Sequence, residues 1–220
     1  MLIKGFIFDL DGVITDTAEY HYLAWQELAG KIGISIDRVF NEQLKGISRM
    51  DSLERILAYG NKNDAYTEEE KRQLADEKNE EYKKLITNIS PSDLLPGIKE
   101  FIAELKQADM KLALASASKN GPDILNQLGI ADLFDTIVDP AALANGKPDP
   151  EIFIKGAKQL KLTPEECIGV EDAKAGIDSI NAADMFSVGV GTPESMQRAD
   201  MFVADTTQLN YASILAAVQK

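Results

Sequence analysis

The chain has 220 residues, 45% of them hydrophobic and 27% charged, an ordinary globular mix that excludes a disordered, collagen-like or linker-dominated protein. Asp and Glu number 36 against 23 Lys and Arg, and the net charge of −13 opposes binding to nucleic acid or anionic lipid. It leaves room for an enclosed, metal-assisted site for a small anion. Cys167 is the sole cysteine, so an intramolecular disulfide and a Cys-based zinc site are excluded.

In chain order, the first apolar run is Phe6-Ile7-Phe8, and Asp9 cuts it short. It is too brief for a signal sequence, and no run reaches membrane-spanning length, so a soluble cytoplasmic protein is expected. Residues 17–88 carry helical patterning and no convincing strand. Ala18, His21, Trp25, Leu28 and Ile32 form one stripe; Arg49, Leu53, Ile56 and Leu57 a second; Leu74, Lys78, Tyr82 and Leu85 a third. The segment Gly60–Asp64 reads as a loop between these helices, and Glu68-Glu69-Glu70 as an exposed helix start. Five further short runs follow: Lys111–Ala115, Thr136-Ile137-Val138, Cys167–Val170, Phe186–Val190 and Met201–Ala204. They alternate with helix-like segments at 97–108, 120–128, 150–161 and 173–183. The pattern predicts an α/β protein, a Rossmann-like parallel sheet core with an inserted α-helical cap. The boundaries are residues 1–15 and 91–220 for the core and 16–90 for the cap.

Ligands of open α/β sheets sit beyond the carboxyl ends of the strands. The residues there are Asp9, Asp11 and Gly12 after the first strand and Ser116–Asn120 after the second. Asp139 and then Gly146-Lys147-Pro148 follow the third, and Glu171-Asp172 the fourth. Carboxylates gathered on one rim repel one another, and a hard divalent cation such as Mg²⁺ relieves that repulsion while bridging to a phosphate. Asp9 then suits nucleophilic attack on phosphorus, Asp11 general acid–base work, and Ser116 and Lys147 the transferring phosphoryl oxygens. A bare D-x-D-G arises by chance about 0.04 times in such a chain. The S-x-S-K, G-K-P and E-D signals in order at strand ends make coincidence a poor explanation.

These residues, Phe8–Thr17 with Ser116, Lys147 and Glu171-Asp172, resemble the haloacid dehalogenase superfamily from end to end, and the insert after the first strand resembles its small helical cap. Within it, Leu44–Arg49 and Ala115–Pro122 are similar to the sugar phosphomutases. The resemblance implies a Mg²⁺-dependent enzyme interconverting β-D-glucose 1-phosphate and glucose 6-phosphate. Its route would run through an aspartyl-phosphate and β-glucose 1,6-bisphosphate. It implies metal ligation by Asp9, the backbone of Asp11, and Asp172, with Glu171 in or beside the set. Arg49 would bind the phosphate that is not transferred. Lys45, Gly46, Ser52 and Lys78 would contact the sugar phosphate from the cap, and Ser116, Ala117, Ser118, Lys119 and Asn120 from the core. His21 would hydrogen-bond near Asp11. Thr17 and Trp25 join the candidate contacts. Small-molecule sugar phosphates are the expected partners, with no nucleic acid, no membrane and a monomeric chain. Two positions depart from the pattern: Ala173 replaces the usual Ser after Glu-Asp, and Asp184 a usual Gly.

Other readings of the same residues stand beside these. Glu171-Asp172 could cap the following helix, and Lys45 and Arg49 could be solvated charges. His21 could be structural, Trp25 cap core, and Cys167 strand packing. A sugar-phosphate phosphatase would use Asp9 and Asp11 identically, with water completing the cycle. A phospho-accepting receiver module is disfavoured by the Asp-x-Asp spacing and the insert.

Overall fold

The computed structural model describes residues 2–219. Six strands, β1 (Gly5–Phe8), β2 (Lys111–Leu114), β3 (Thr136–Ile137), β4 (Cys167–Glu171), β5 (Phe186–Val190) and β6 (Met201–Val203), form one sheet in the order β3-β2-β1-β4-β5-β6. Each coincides with an apolar run of the sequence to within one residue. All pairings are parallel, with Gly5 of β1 opposite Lys111 of β2 and Cys167 of β4. The strand order reverses direction around β1, which opens a crevice at the carboxyl ends of β1 and β4.

Nine α-helices lie in the described residues. Four precede the return to the sheet: α1 (Ala18–Lys31), α2 (Arg38–Asn41), α3 (Arg49–Tyr59) and α4 (Glu68–Leu85). Five cover it: α5 (Ile98–Gln107), α6 (Gly121–Gln127), α7 (Glu151–Gln159), α8 (Lys174–Ala182) and α9 (Tyr211–Val218). Successive strand side chains point to opposite faces. Phe6 and Phe8 therefore enter one core layer with Phe101 of α5, Ile124 of α6 and Ile214 of α9. Ile7 enters the other, with Phe153 of α7 and Ile180 of α8. Cys167 is buried in that second layer, as strand packing.

Helices α1–α4 hold no strand and share their own apolar cluster, built on Trp25, Leu28, Phe40, Leu53, Ile56, Leu57 and Ala75. The predicted α4 stripe is rotated slightly: its buried residues are Lys71, Ala75, Lys78 and Tyr82. A Thr67–Glu70 capping box starts α4, and Glu68, Glu69 and Glu70 occupy its first turn. The two tethers of this helical segment are joined at its base: Thr15 Oγ1 donates to the Asp93 carbonyl at 2.7 Å, and the Leu95 amide to the Ile14 carbonyl at 2.9 Å. No helix among the described residues is long and apolar enough to cross a membrane.

Both departures from the superfamily pattern have a visible local effect. Asp184 has φ +57°, the left-handed conformation that ends α8 and that glycine adopts most freely; a short polar side chain tolerates it. Ala173 is the N-cap of α8 and supplies no side-chain cap, while the Glu171 carboxylate accepts its backbone N–H at 3.2 Å.

Candidate active site

Asp9 is carried past the end of β1 with its backbone still in the sheet, its N–H donating to the Val170 carbonyl at 2.9 Å. The chain then turns sharply, and the amides of Ile14 and Thr15 return to the Leu10 carbonyl at 2.8 and 3.2 Å. Gly12 allows the turn. Its φ is +72°, and a Cβ there would collide with the Asp172 carboxylate. The first and fourth strand ends are thereby brought into contact.

Lys147 reaches the same point from the loop after β3. Its Nζ donates to Asp9 Oδ1 and to Glu171 Oε2, both at 2.6 Å, in a setting where all three side chains are essentially sealed from solvent. Asp9, Glu171 and Asp172 each offer a carboxylate oxygen within 4.8 Å of the others. Burial pushes the Asp9 carboxyl up, against the pull of Lys147, and pushes Glu171 up to about 7. Burial and the charges of Glu171, Asp9 and Asp11 push Asp172 well above the usual carboxylate range. One ammonium does not balance three converging carboxylates. The unmet demand is for a hard cation, and an all-oxygen donor set fits Mg²⁺.

Asp11 differs. Burial pushes it up, but the neighbouring His21 imidazole and the hydrogen bond from Thr17 outweigh that and hold it below the ordinary value. Thr17 donates to Asp11 Oδ1 and accepts from the Tyr82 hydroxyl at 2.9 Å, so a chain of hydroxyls from α4 fixes the carboxylate. His21 Nε2 lies 3.6 Å from Asp11 Oδ2, and its ring stacks on Tyr82 with centroids 4.0 Å apart.

The helical segment faces this rim across a cleft of about 1020 Å³. Lys78 Nζ sits 2.7 Å from His21 Nδ1 and 4.8 Å from the centroids of the Trp25 and Tyr82 rings. Burial and the Arg49 charge bring its ammonium down to about 7. Arg49 opens α3, with Nη1 3.3 Å from Asp76 Oδ1. Gly46, at φ +71°, lies against Ala173, whose Cβ is 2.8 Å from where a glycine Cβ would stand. On the opposite wall Ser116 Oγ accepts the Ser118 N–H at 3.1 Å, and Ser118 Oγ accepts that of Asn120 at 3.3 Å.

Sixteen of the eighteen residues singled out in the sequence line this one cleft: Asp9, Asp11, His21, Trp25, Lys45, Gly46, Arg49, Ser52, Lys78, Ser116, Ala117, Ser118, Lys119, Asn120, Lys147 and Asp172. The other two stand behind its wall. Thr17 is fully buried and bonded to Asp11, a support for that carboxylate and not a contact for a ligand. Glu171 is fully buried and bonded to Lys147. Trp25 is 3% exposed and belongs to the apolar cluster of α1–α4, offering the cleft a ring beneath Lys78. Ser52 donates to the Ser48 carbonyl at 3.0 Å within its own helix. Sequence reasoning passed over Asp76, Asn79 and the hydroxyl role of Tyr82. The first two are polar residues on a polar helix, marked out only by their partners in space, Arg49 for Asp76 and Asn120 on the opposite wall for Asn79.

The haloacid dehalogenase-like hydrolase family profile matches residues 3–184. The chain is 52% identical over 207 residues to a β-phosphoglucomutase of Bacillus subtilis (strain 168), covering 94% of this chain and 92% of that one. The crystal structure of a β-phosphoglucomutase from Clostridium difficile superposes with a TM-score of 0.97 at 54% identity, covering 99% of this chain and 98% of that one. A fructose-1-phosphate phosphatase of Escherichia coli (strain K12) is 30% identical over 84% of this chain and 95% of its own length.

Proposed function

The chain belongs to the haloacid dehalogenase-like hydrolase family, and from that premise we propose that it interconverts β-D-glucose 1-phosphate and glucose 6-phosphate through phosphorylated Asp9 and a β-glucose 1,6-bisphosphate intermediate. The observation that carries this reading is a second cationic anchor. Arg49 and Lys78 face the Asp9–Lys147 pair from the other side of the cleft, so a sugar carrying phosphate at both ends can be held at both. Residues 16–90 act as a cap over a core of residues 1–15 and 91–220. Its closure excludes water, which would otherwise hydrolyse the aspartyl-phosphate.

In the first half-reaction the sugar 6-hydroxyl attacks the phosphorus on Asp9. Asp11 takes the hydroxyl proton, and the bond from phosphorus to the Asp9 oxygen breaks. A carboxylate held below its ordinary pKa by His21 and Thr17 is ionised at neutral pH, as a base must be. The bisphosphate reorients in the cleft. The Asp9 carboxylate then attacks the 1-phosphoryl group, and Asp11 returns its proton to the departing C1 oxygen. Lys147 and Ser116 hold the phosphoryl oxygens where charge builds. Asp9, the Asp11 backbone carbonyl and Asp172, with Glu171 beside them, would hold Mg²⁺, which when bound neutralises their charge and that of the phosphoryl group. The lone buried thiol of Cys167 suits a reducing compartment, and we place the enzyme in the cytoplasm.

Phosphorus NMR of β-glucose 1-phosphate with enzyme, Mg²⁺ and a trace of bisphosphate tests the reading. Conversion to glucose 6-phosphate is expected; stoichiometric inorganic phosphate would mark a phosphatase instead. In the same assay Arg49→Ala should lower mutase kcat/KM by about 10²-fold, through loss of a charge-assisted hydrogen-bond anchor. Phosphorylation of Asp9 by acetyl phosphate, which has no second phosphate, should change by less than about threefold.

Lys78 gives the cleft a pH dependence. Its ammonium, brought down to about 7, is charged in the empty site below that pH and neutral above it. A phosphate monoester with a second pKa near ~6 is already dianionic there, so its own titration works the other way. KM for β-glucose 1-phosphate should rise by up to about tenfold per pH unit above pH 7. In Lys78→Arg, whose guanidinium stays charged, the rise should vanish. An unchanged KM–pH profile in that variant removes Lys78 from the phosphate site.

A further inference from the structure

The loop before α3 meets the sheet rim in van der Waals contact, with Gly46 against Ala173 and Ser48 against Gly146. Among the described residues a single hydrogen bond joins residues 18–88 to residues 91–219. Asn120 Nδ2 donates to Asn79 Oδ1 at 2.9 Å. Asn79 follows Lys78 on α4 and lines the cleft. Asn120 is only 5% exposed.

We propose that Asn79 is a positioning residue, a neutral latch that holds the cap against the rim and sets the Ser116–Asn120 loop for the substrate. The proposal deepens the mutase reading and rests on it for the identity of the substrate. Three observations support it beyond the bond itself. Asn120 is the N-cap residue of α6, where asparagine ordinarily bonds its own helix, yet its side chain makes no cap. The amide is given to the opposite domain instead. The backbone of Asn120 is also tied to Ser118 Oγ, and that of Ser118 to Ser116 Oγ, so the loop that Asn120 ends is held by consecutive hydrogen bonds on the core side, and the Asn79 bond fixes its cap-facing end. Finally, both latch groups are uncharged. A bond between two amides can open to admit a sugar phosphate without stranding a charge, whereas a buried ion pair there would resist opening.

The latch forms only when the cap is down. Its loss shifts the cap toward the open arrangement, weakens substrate capture and lets water reach the aspartyl-phosphate. Asn79→Ala places a better helix former in a half-buried position of α4, so the variant should fold. KM for β-glucose 1-phosphate should rise about 3- to 10-fold, the equivalent of one ordinary hydrogen bond. The fraction of phosphoryl groups lost as inorganic phosphate should rise by a similar factor. The rate of Asp9 phosphorylation by acetyl phosphate should not change. Because Asn79 acts through Asn120, adding Asn79→Ala to Asn120→Ala should raise KM no further.

Equal KM and equal phosphate loss in Asn79→Ala and wild type would overturn the latch. So would effects of the two substitutions that multiply, or a parallel fall in acetyl phosphate turnover, which is the mark of a merely structural role. A wild-type enzyme that releases only inorganic phosphate would sink the mutase reading separately. The KM ratio and the coupling with Asn120 would still decide the latch, since neither depends on which product forms.

Discussion

Asp9→Asn should abolish turnover, by about four orders of magnitude or more, while leaving the fold intact. The substitution keeps the shape of the side chain and its place at the end of β1, where the backbone N–H bonds to Val170. It replaces the anionic carboxylate oxygen that forms the acyl-phosphate bond, and a neutral amide is too weak a nucleophile to take its place. Stability should move the other way. Burial raises the pKa of Asp9, so its ionised form costs stability at every pH above the folded value. A neutral amide removes that cost, and Lys147 keeps Glu171 as partner. The melting temperature at pH 7.5 without Mg²⁺ should therefore equal or exceed that of wild type. Intact-protein mass spectrometry after acid trapping should show a phosphoryl adduct on wild type under turnover and none on Asp9→Asn. Retention of even one hundredth of wild-type activity would exclude Asp9 as the nucleophile.

Much of this arrangement is legible in the linear sequence, and the part that is not has a physical reason. The strands could be read because a buried parallel sheet demands continuous apolar runs, and those runs are short and bounded. Asp9, Asp11, Lys147 and Asp172 could be read because the fold sends strand ends to a common rim. Helix α9 was missed, although Asn210 accepts the Ser213 N–H as a side-chain cap ahead of an apolar octet. That signal was local and available. The roles of Thr17, Tyr82 and Asn79 were not. Tyr82 lies 65 residues from the Thr17 hydroxyl it supports, and Asn79 lies 41 residues from Asn120. Partnerships of that kind are fixed by how α4 docks on the rim, and no spacing in the chain encodes them. Asp76 is a similar case: one more acid on a helix rich in acids, distinguished only by lying 3.3 Å from Arg49.

Lys147→Met should be the most destabilising single change at the site, and its pH dependence should identify why. The lysine donates to two buried carboxylates at 2.6 Å each, and its own pKa is raised by Asp9 and Glu171 despite burial. Its ammonium therefore stabilises the fold across the neutral range and would be lost only in strong alkali. Methionine fills the volume but leaves Asp9 and Glu171 unpaired. Stranding a buried partner costs about 3–5 kcal/mol, on the order of 10 °C in melting temperature for a chain of this size. Glu171 already titrates at about 7 with the lysine present, and without it both carboxyls shift further up. A carboxyl raised in the folded state destabilises above its folded pKa and is relieved as pH falls through that value. The deficit should thus be greatest at pH 8 and shrink toward pH 5.5, by which point Glu171 has taken up its proton. Mg²⁺ should restore part of it by supplying the missing positive charge. Phosphoryl transfer should fall by about 10²- to 10³-fold even where the variant is fully folded, because Lys147 is the cationic side chain bonded to Asp9 and placed to hold the transferring oxygens. Thermal melts of both proteins at pH 5.5 and 8, with and without Mg²⁺, would decide the matter. A deficit independent of pH would mean that Lys147 serves by packing on Phe153, 5.1 Å from its Nζ, and not by balancing the carboxylates.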